Sequence, residues 1–123
     1  MTTAYWCVLA VMFLPYVWVG MAKSGGFDNS RPRESLAALT GWRLRANWAH
    51  LNAFEAFPAF AAAVIIGHLT GVAQGTLDQL ALAFVALRVV HAFLYMANQA
   101  TLRSLVFGGQ VGVIVAIFVL GAR

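Results

Sequence analysis

The amino-acid sequence predicts an all-α integral membrane protein, a bundle of four transmembrane helices. Hydrophobic residues fill 62% of its 123 positions and charged residues only 10%, too few to cover a soluble domain of this size. Four apolar stretches of roughly 20 residues, the length that crosses a bilayer, nearly exhaust the chain. We therefore predict a single domain over residues 1–123.

A polar segment separates the first two predicted spans. The first apolar stretch covers about 4–22, and no Lys or Arg precedes it, which favours a retained helix over the alternative of a signal peptide. Residues 23–34 contain Gly, Asp, Asn, Ser and Pro, a composition typical of a loop. The second helical pattern covers about 36–69, roughly 50 Å at helical rise, so we expect its first turns to project into water.

Short turns precede the last two predicted spans. Gly71–Gly75 is typical of a loop, and Thr76 with Gln79 fits a capping box that opens a third helix over about 77–96. The fourth span covers about 102–120. Loops this short leave no room for a domain outside the bilayer.

The basic residues indicate an orientation in the membrane. The first and third loops with their flanks are basic and the second loop is not, which predicts that the first and third loops are cytoplasmic. Because these residues flank apolar spans, they do not indicate a nucleic-acid partner. The single cysteine, Cys7, has no partner for an intrachain disulfide. The basic residues of these loops are Lys23, Arg31, Arg33, Arg43, Arg45 and Arg103.

Polar side chains inside the third span are the strongest indication of a site. Arg88 and His91 lie about halfway along it, with Tyr95 one turn further, and residues three and four apart share a helix face. A charged group at that depth costs several kcal/mol unless it is paired or hydrated. We therefore expect this stripe to face polar partners.

A second polar stripe, Arg45, Asn52 and Glu55, lies on one face of the second span. The two stripes predict an interhelical polar site at the cytoplasmic end. Glu55 is the only acidic residue near enough to neutralise Arg88, so a purely structural ion pair is one interpretation. If those two residues paired, several hydrogen-bond donors of the two stripes would be left over. This surplus of donors favours an anionic ligand instead. The sequence contains no pair of Cys and His residues at the spacing of metal ligands, so we expect no metal site.

Three motifs carry a resemblance to a known family. Arg45–Pro58 reads R-A-N-W-A-H-L-N-A-F-E-A-F-P, Arg88–Tyr95 reads R-V-V-H-A-F-L-Y, and Asn98–Ser104 reads N-Q-A-T-L-R-S. Together they resemble the MAPEG family, membrane-associated proteins in eicosanoid and glutathione metabolism. The likeness covers nearly the whole chain and is closest to the short bacterial members, which implies a bacterial inner membrane.

The resemblance implies a homotrimer in membrane lipid, with glutathione bound as co-substrate between subunits. It implies a transferase or peroxidase acting on small hydrophobic electrophiles or lipid hydroperoxides. Arg103 and Ser104 match the pair that activates the thiol, and Arg88 matches an arginine that orders the polar cluster. The positions that match glutathione-binding residues of the family are Asn52, Glu55, His91 and Tyr95.

One position departs from the family pattern. Mammalian members often carry an arginine just before the asparagine of the second span, where this chain has Leu51. Arg43 or Arg45 could replace that arginine as a carboxylate partner. The departure leaves open a non-catalytic function, because the family includes a member that binds lipid mediators for a partner enzyme. An accessory subunit of a larger membrane assembly is a further alternative.

Overall fold

A computed structural model describes residues 1–123 as a bundle of α-helices with no β-strand. Four of the helices, α1, α3, α4 and α5, are long and apolar enough to cross a membrane, as the sequence predicts. A single 3-10 turn, Lys23–Gly25, follows α1. The α-helices are α1 Thr3–Ala22, α2 Pro32–Ala37, α3 Gly41–Leu69, α4 Gln74–Met96 and α5 Ala100–Gly121.

The second span begins later than the sequence predicts. Its predicted start near residue 36 lies inside the separate short helix α2, and α3 begins only at Gly41. Gly41 has a φ of +64°, a left-handed conformation that glycine adopts without strain, so the chain changes direction there. At 29 residues, α3 is still about 43 Å long.

The third span begins three residues earlier than predicted, and the capping box at Thr76 is not formed. Helix α4 starts at Gln74, and Leu77 N donates to Ala73 O at 3.0 Å. The side chain of Gln74 donates to Asp78 Oδ1 at 2.7 Å, which stabilises the first turn from within.

Two hydrophobic clusters lie along the bundle axis. In the first, the rings of Phe60 on α3 and Phe84 on α4 stack with centroids 4.1 Å apart, and Ile117 of α5 packs beside them. The second is built from small residues, with Ala46, Ala49 and Ala53 of α3 buried near Trp18. Alanine lets neighbouring helices approach closely, so α3 packs against α1, α4 and α5.

Polar side chains fix both ends of α1. Ala4 N donates to Asp78 Oδ1 at 2.8 Å, which places a carboxylate at the positive end of the α1 dipole. At the other end, Arg43 Nε donates to Ala22 O at 2.8 Å and Arg43 Nη2 donates to Gly26 O at 2.6 Å. These bonds hold α1 in register with α3 and α4.

The loop that follows α1 and the α4–α5 turn lie at one end of the bundle, here called the basic end. In that loop, Asp28 Oδ1 accepts from Ser30 N at 3.0 Å and from Ser30 Oγ at 2.6 Å. These bonds hold the pKa of the Asp28 carboxyl below its ordinary value. The loop is therefore locally ordered by its own side chains.

Small residues permit a close contact between α3 and α5. Gly67 is buried, and a Cβ atom placed on it would lie 2.7 Å from Ile117 Cγ2. By contrast, Gly108 and Gly112 have no neighbouring heavy atom within 4 Å of that position. Within the chain, a close helix contact therefore forms at Gly67 but not at Gly108 or Gly112.

We expect Gly67→Ala to destabilise the bundle, because the new methyl group overlaps a β-branched side chain that has little freedom to move. The expected loss is about 1–2 kcal/mol, partly offset by the higher helix propensity of alanine. Thermal unfolding in detergent measures it, with Gly112→Ala as the matched control. Equal midpoints for the two variants would contradict the packing at Gly67.

Candidate functional site

A polar cavity of about 260 Å³ lies between α3, α4 and α5 toward the basic end. All three helices supply side chains to it, because the α4–α5 turn brings the end of α4 beside the start of α5. Five of the eight residues that the sequence predicts for the site are brought together here. The lining residues are Asn52, His91, Tyr95, Arg103, Ser104 and Phe107.

Two further cavities adjoin this one, and we call the three together the groove. One, of about 440 Å³, is lined by Trp48, Leu51, Asn52, Glu55 and Tyr95. The other, of about 230 Å³, is an apolar cleft whose polar lining residues are Asn52, Glu55 and Gln110. Asn52 lines all three cavities, so it lies at the centre of the groove.

Arg88 lies behind the groove and does not line it. Only 1% of its surface is exposed, and it lies about 12 Å along α4 from the end at Met96. Its Nη1 donates to Asn52 Oδ1 at 3.0 Å and to Gln110 Oε1 at 2.8 Å. Arg88 therefore joins α3, α4 and α5 through neutral amide oxygens.

The ion pair between Glu55 and Arg88 is not formed. The only salt bridge in the chain joins Arg31, just before α2, to Glu34 in the first turn of that helix, and both side chains are exposed. Glu55 is itself exposed, although it lies at the middle of α3, 14 residues from each end. Two neutral amides can turn to meet a guanidinium at closer range, which leaves the Glu55 carboxylate free.

Polar nitrogens without hydrogen-bond partners lie in the groove and directly behind it. The buried Arg88 Nη2 and His91 Nδ1 have no hydrogen bond. The Arg103 guanidinium lies 4.2 Å from the centroid of the Tyr95 ring and makes no hydrogen bond within the chain. Because donor groups predominate over acceptors, the groove is suited to an anionic or acceptor-rich ligand.

Two arginines predicted as possible carboxylate partners bind backbone instead. Arg45 Nε donates to Met96 O at 3.0 Å, so its cation caps the carboxyl end of α4. Both Nε and Nη2 of Arg43 donate to the carbonyls that follow α1. Neither residue lines the groove. Their guanidinium groups hold helix ends together. Neither of them therefore replaces the arginine that other members carry where this chain has Leu51.

Gln110 is the residue of the site that the sequence analysis missed. It is 2% exposed, and its Nε2 donates to Leu87 O at 3.2 Å while its Oε1 accepts from Arg88. The sequence does contain a feature that could have identified it, because Gln110 places an amide near the middle of α5, the most apolar of the four spans. A polar side chain at that depth points to a buried partner, by the same reasoning that applied to Arg88.

We expect Glu55→Gln not to lower stability, because the Glu55 carboxylate is exposed and unpaired. The unfolding free energy should stay the same or rise, since the substitution removes a charge from the middle of a span without breaking an ion pair. Arg88→Gln serves as the contrasting variant, since it leaves the buried amides of Asn52 and Gln110 without their donor. Thermal unfolding in detergent compares them; a large loss in Glu55→Gln would point to an ion pair after all.

Comparison with known proteins identifies the family. The family model described as the MAPEG family matches residues 3–123, essentially the whole chain. No curated protein and no solved structure matches the chain significantly. The family match agrees with the four spans and confirms the resemblance carried by the three motifs. The chain therefore belongs to the MAPEG family, the membrane proteins of eicosanoid and glutathione metabolism.

Proposed function

We propose that this protein is a membrane-bound glutathione transferase or peroxidase acting on small hydrophobic electrophiles or lipid hydroperoxides. The observation that carries the proposal is the convergence of α3, α4 and α5 on one polar cavity beside an apolar cleft. A polar co-substrate and an apolar one would meet where these two cavities share Asn52 and Phe107. The basic end is then the cytoplasmic end, in the inner membrane of a bacterium.

The charges of the groove complement those of glutathione. Glutathione carries two carboxylates, one ammonium and a thiol, so it needs several donors and one anionic acceptor. Arg103, His91 and Asn52 supply donors, and the unpaired Glu55 carboxylate supports binding of the ammonium group. The arrangement is specific because a ligand of two anionic groups alone would be repelled by Glu55.

Arg103 and Ser104 are the residues that we propose for activation of the thiol. A free thiol has a pKa of about 8.5, so only a few per cent is thiolate at neutral pH. Arg103 has free donors, and Ser104 is exposed with no hydrogen bond from its side chain within the chain. A guanidinium and a hydroxyl beside the sulfur would favour the thiolate, which is the reactive form.

The thiolate has two possible reactions. With an aryl halide, a carbon–sulfur bond forms and halide leaves, while the thiol proton goes to solvent. With a hydroperoxide, the thiolate attacks the terminal oxygen, the oxygen–oxygen bond breaks, and the alkoxide that leaves takes up the proton released by the thiol to become an alcohol. The resulting sulfenic acid of glutathione then condenses with a second glutathione to give a disulfide and water.

The apolar cleft supports entry of the second substrate from the bilayer. It lies between α3 and α5 and is lined mainly by Ala, Phe, Val and Ile side chains, several of them exposed on the apolar surface. At about 230 Å³ it is smaller than a typical site for a drug-sized ligand. We therefore propose small electrophiles as the preferred substrates.

Assembly as a homotrimer completes the proposal. Glu55 is exposed at the middle of a span, where a lone carboxylate facing lipid costs several kcal/mol. Helix α5 buries only Gln110 and Ile117 of its 22 residues within one chain. A neighbouring protomer beside the groove would cover both surfaces and close the glutathione site from a second side.

The first expected result is glutathione binding. Titration calorimetry on the protein in detergent is expected to show binding in the micromolar to millimolar range, with one site per protomer. Free cysteine is the control ligand, because it has the thiol and ammonium but only one carboxylate. No heat of binding at millimolar glutathione would refute the proposed function.

Arg103→Ala is expected to lower kcat for conjugation of a generic aryl halide by about 10²-fold, since one preorganised charged donor is removed from the sulfur. The ultraviolet absorbance of bound thiolate should appear only at higher pH in this variant. Arg123→Ala, at the opposite end of the bundle, is the matched control. Equal activity of wild type and Arg103→Ala would favour the non-catalytic lipid-binding or accessory function.

A further inference from the structure

We infer that Gln110 is a positioning residue that acts through Arg88 to fix the side-chain amide of Asn52 as a hydrogen-bond donor toward the ligand. The inference rests on the proposed function and adds to it the chemistry of one ligand contact. It predicts that the ligand group at Asn52 is an acceptor, a carboxylate or peptide carbonyl oxygen.

The orientation of both amides follows from the chemistry of their partners. A guanidinium has donors only, so the atoms that meet Arg88 Nη1 must be Oδ1 of Asn52 and Oε1 of Gln110. For Gln110 a second contact requires the same orientation, because the Leu87 carbonyl can only accept and meets Nε2 at 3.2 Å. Neither amide can flip without placing two donors or two acceptors against each other.

The consequence for Asn52 lies on its other atom. Its Oδ1 is occupied by Arg88, and its Nδ2 makes no hydrogen bond within the chain. Asn52 is also the one residue that lines all three cavities of the groove. The amide therefore presents two N–H donors where the polar and apolar cavities meet.

Gln110 is needed because Arg88 alone does not fix this arrangement. A guanidinium on a long flexible side chain has several orientations, and only Gln110 and Asn52 hold this one. Gln110 anchors Nη1 to the α4 backbone through Leu87, so the donor that meets Asn52 has a defined position. Gln110 also lies seven residues after Arg103, on the same face of α5. The contact of Gln110 with Arg88 therefore also sets which way the Arg103 face of α5 is turned.

A double-mutant cycle tests the inference. Glutathione affinity and steady-state kinetics with an aryl halide are measured for wild type, Gln110→Met, Asn52→Ala and the double variant, all in detergent. We expect Gln110→Met to weaken glutathione binding about tenfold in the wild-type background and less than about twofold in the Asn52→Ala background. The kcat at saturating glutathione should change less than about threefold, since Arg103 and Ser104, the residues proposed to activate the thiol, are unaltered.

Controls separate positioning from loss of structure. Val119→Ala, on the same helix but outside the groove, should leave glutathione affinity within about twofold of wild type. If Gln110→Met does not fold, Gln110→Glu replaces it in the cycle: its carboxylate still accepts from Arg88 but cannot donate to the Leu87 carbonyl, so the loss of glutathione affinity that it causes should again fall below about twofold in the Asn52→Ala background.

Additive effects of the Gln110 substitution and Asn52→Ala would overturn the positioning role while leaving the proposed function intact. Wild-type protein that binds no glutathione would overturn both. Non-additive effects of the two substitutions, in protein that binds glutathione, support both the positioning role and the proposed function. Failure of the one is thereby distinguished from failure of the other.

Discussion

A guanidinium buried in a membrane-spanning bundle must find hydrogen-bond acceptors, and the way Arg88 finds them organises the rest of this structure. Its two acceptors come from different helices and are both neutral amides. An amide satisfies a donor without the desolvation cost of a second buried charge. Three of the four spans are thereby joined at one point, and the groove lies directly in front of it.

Because both acceptors of Arg88 are neutral amides, the Glu55 carboxylate remains available. Had Glu55 neutralised Arg88, the only acidic residue of the groove would have been consumed by packing. Instead the acidic and basic groups remain on separate sides of Asn52, with Arg103 on one side and Glu55 on the other. A ligand that carries charges of both signs can bind across such a separation, whereas a simple anion or cation uses only half of it.

The sequence was sufficient for the fold and for most of the residues around the groove. Hydropathy and length gave all four spans, and helical spacing grouped His91 with Tyr95, because these signals depend on local periodicity. It was not sufficient for contacts between helices. Arg88 meets Gln110 rather than Glu55 because of the rotation of α5 about its axis. Arg45 caps α4 because the helix ends at Met96, within its reach. No local pattern in the sequence encodes either position.

The bond between Ala4 N and Asp78 has a consequence for biosynthesis. The two residues are separated by 74 positions, so the first helix is made and can enter the bilayer well before its capping carboxylate leaves the ribosome. Until then, its first amide must be satisfied by water or lipid headgroups, which keeps that terminus near the membrane surface. The bond between Ala4 N and Asp78 can therefore form only after the third span has been started, which makes it one of the later contacts of the first helix.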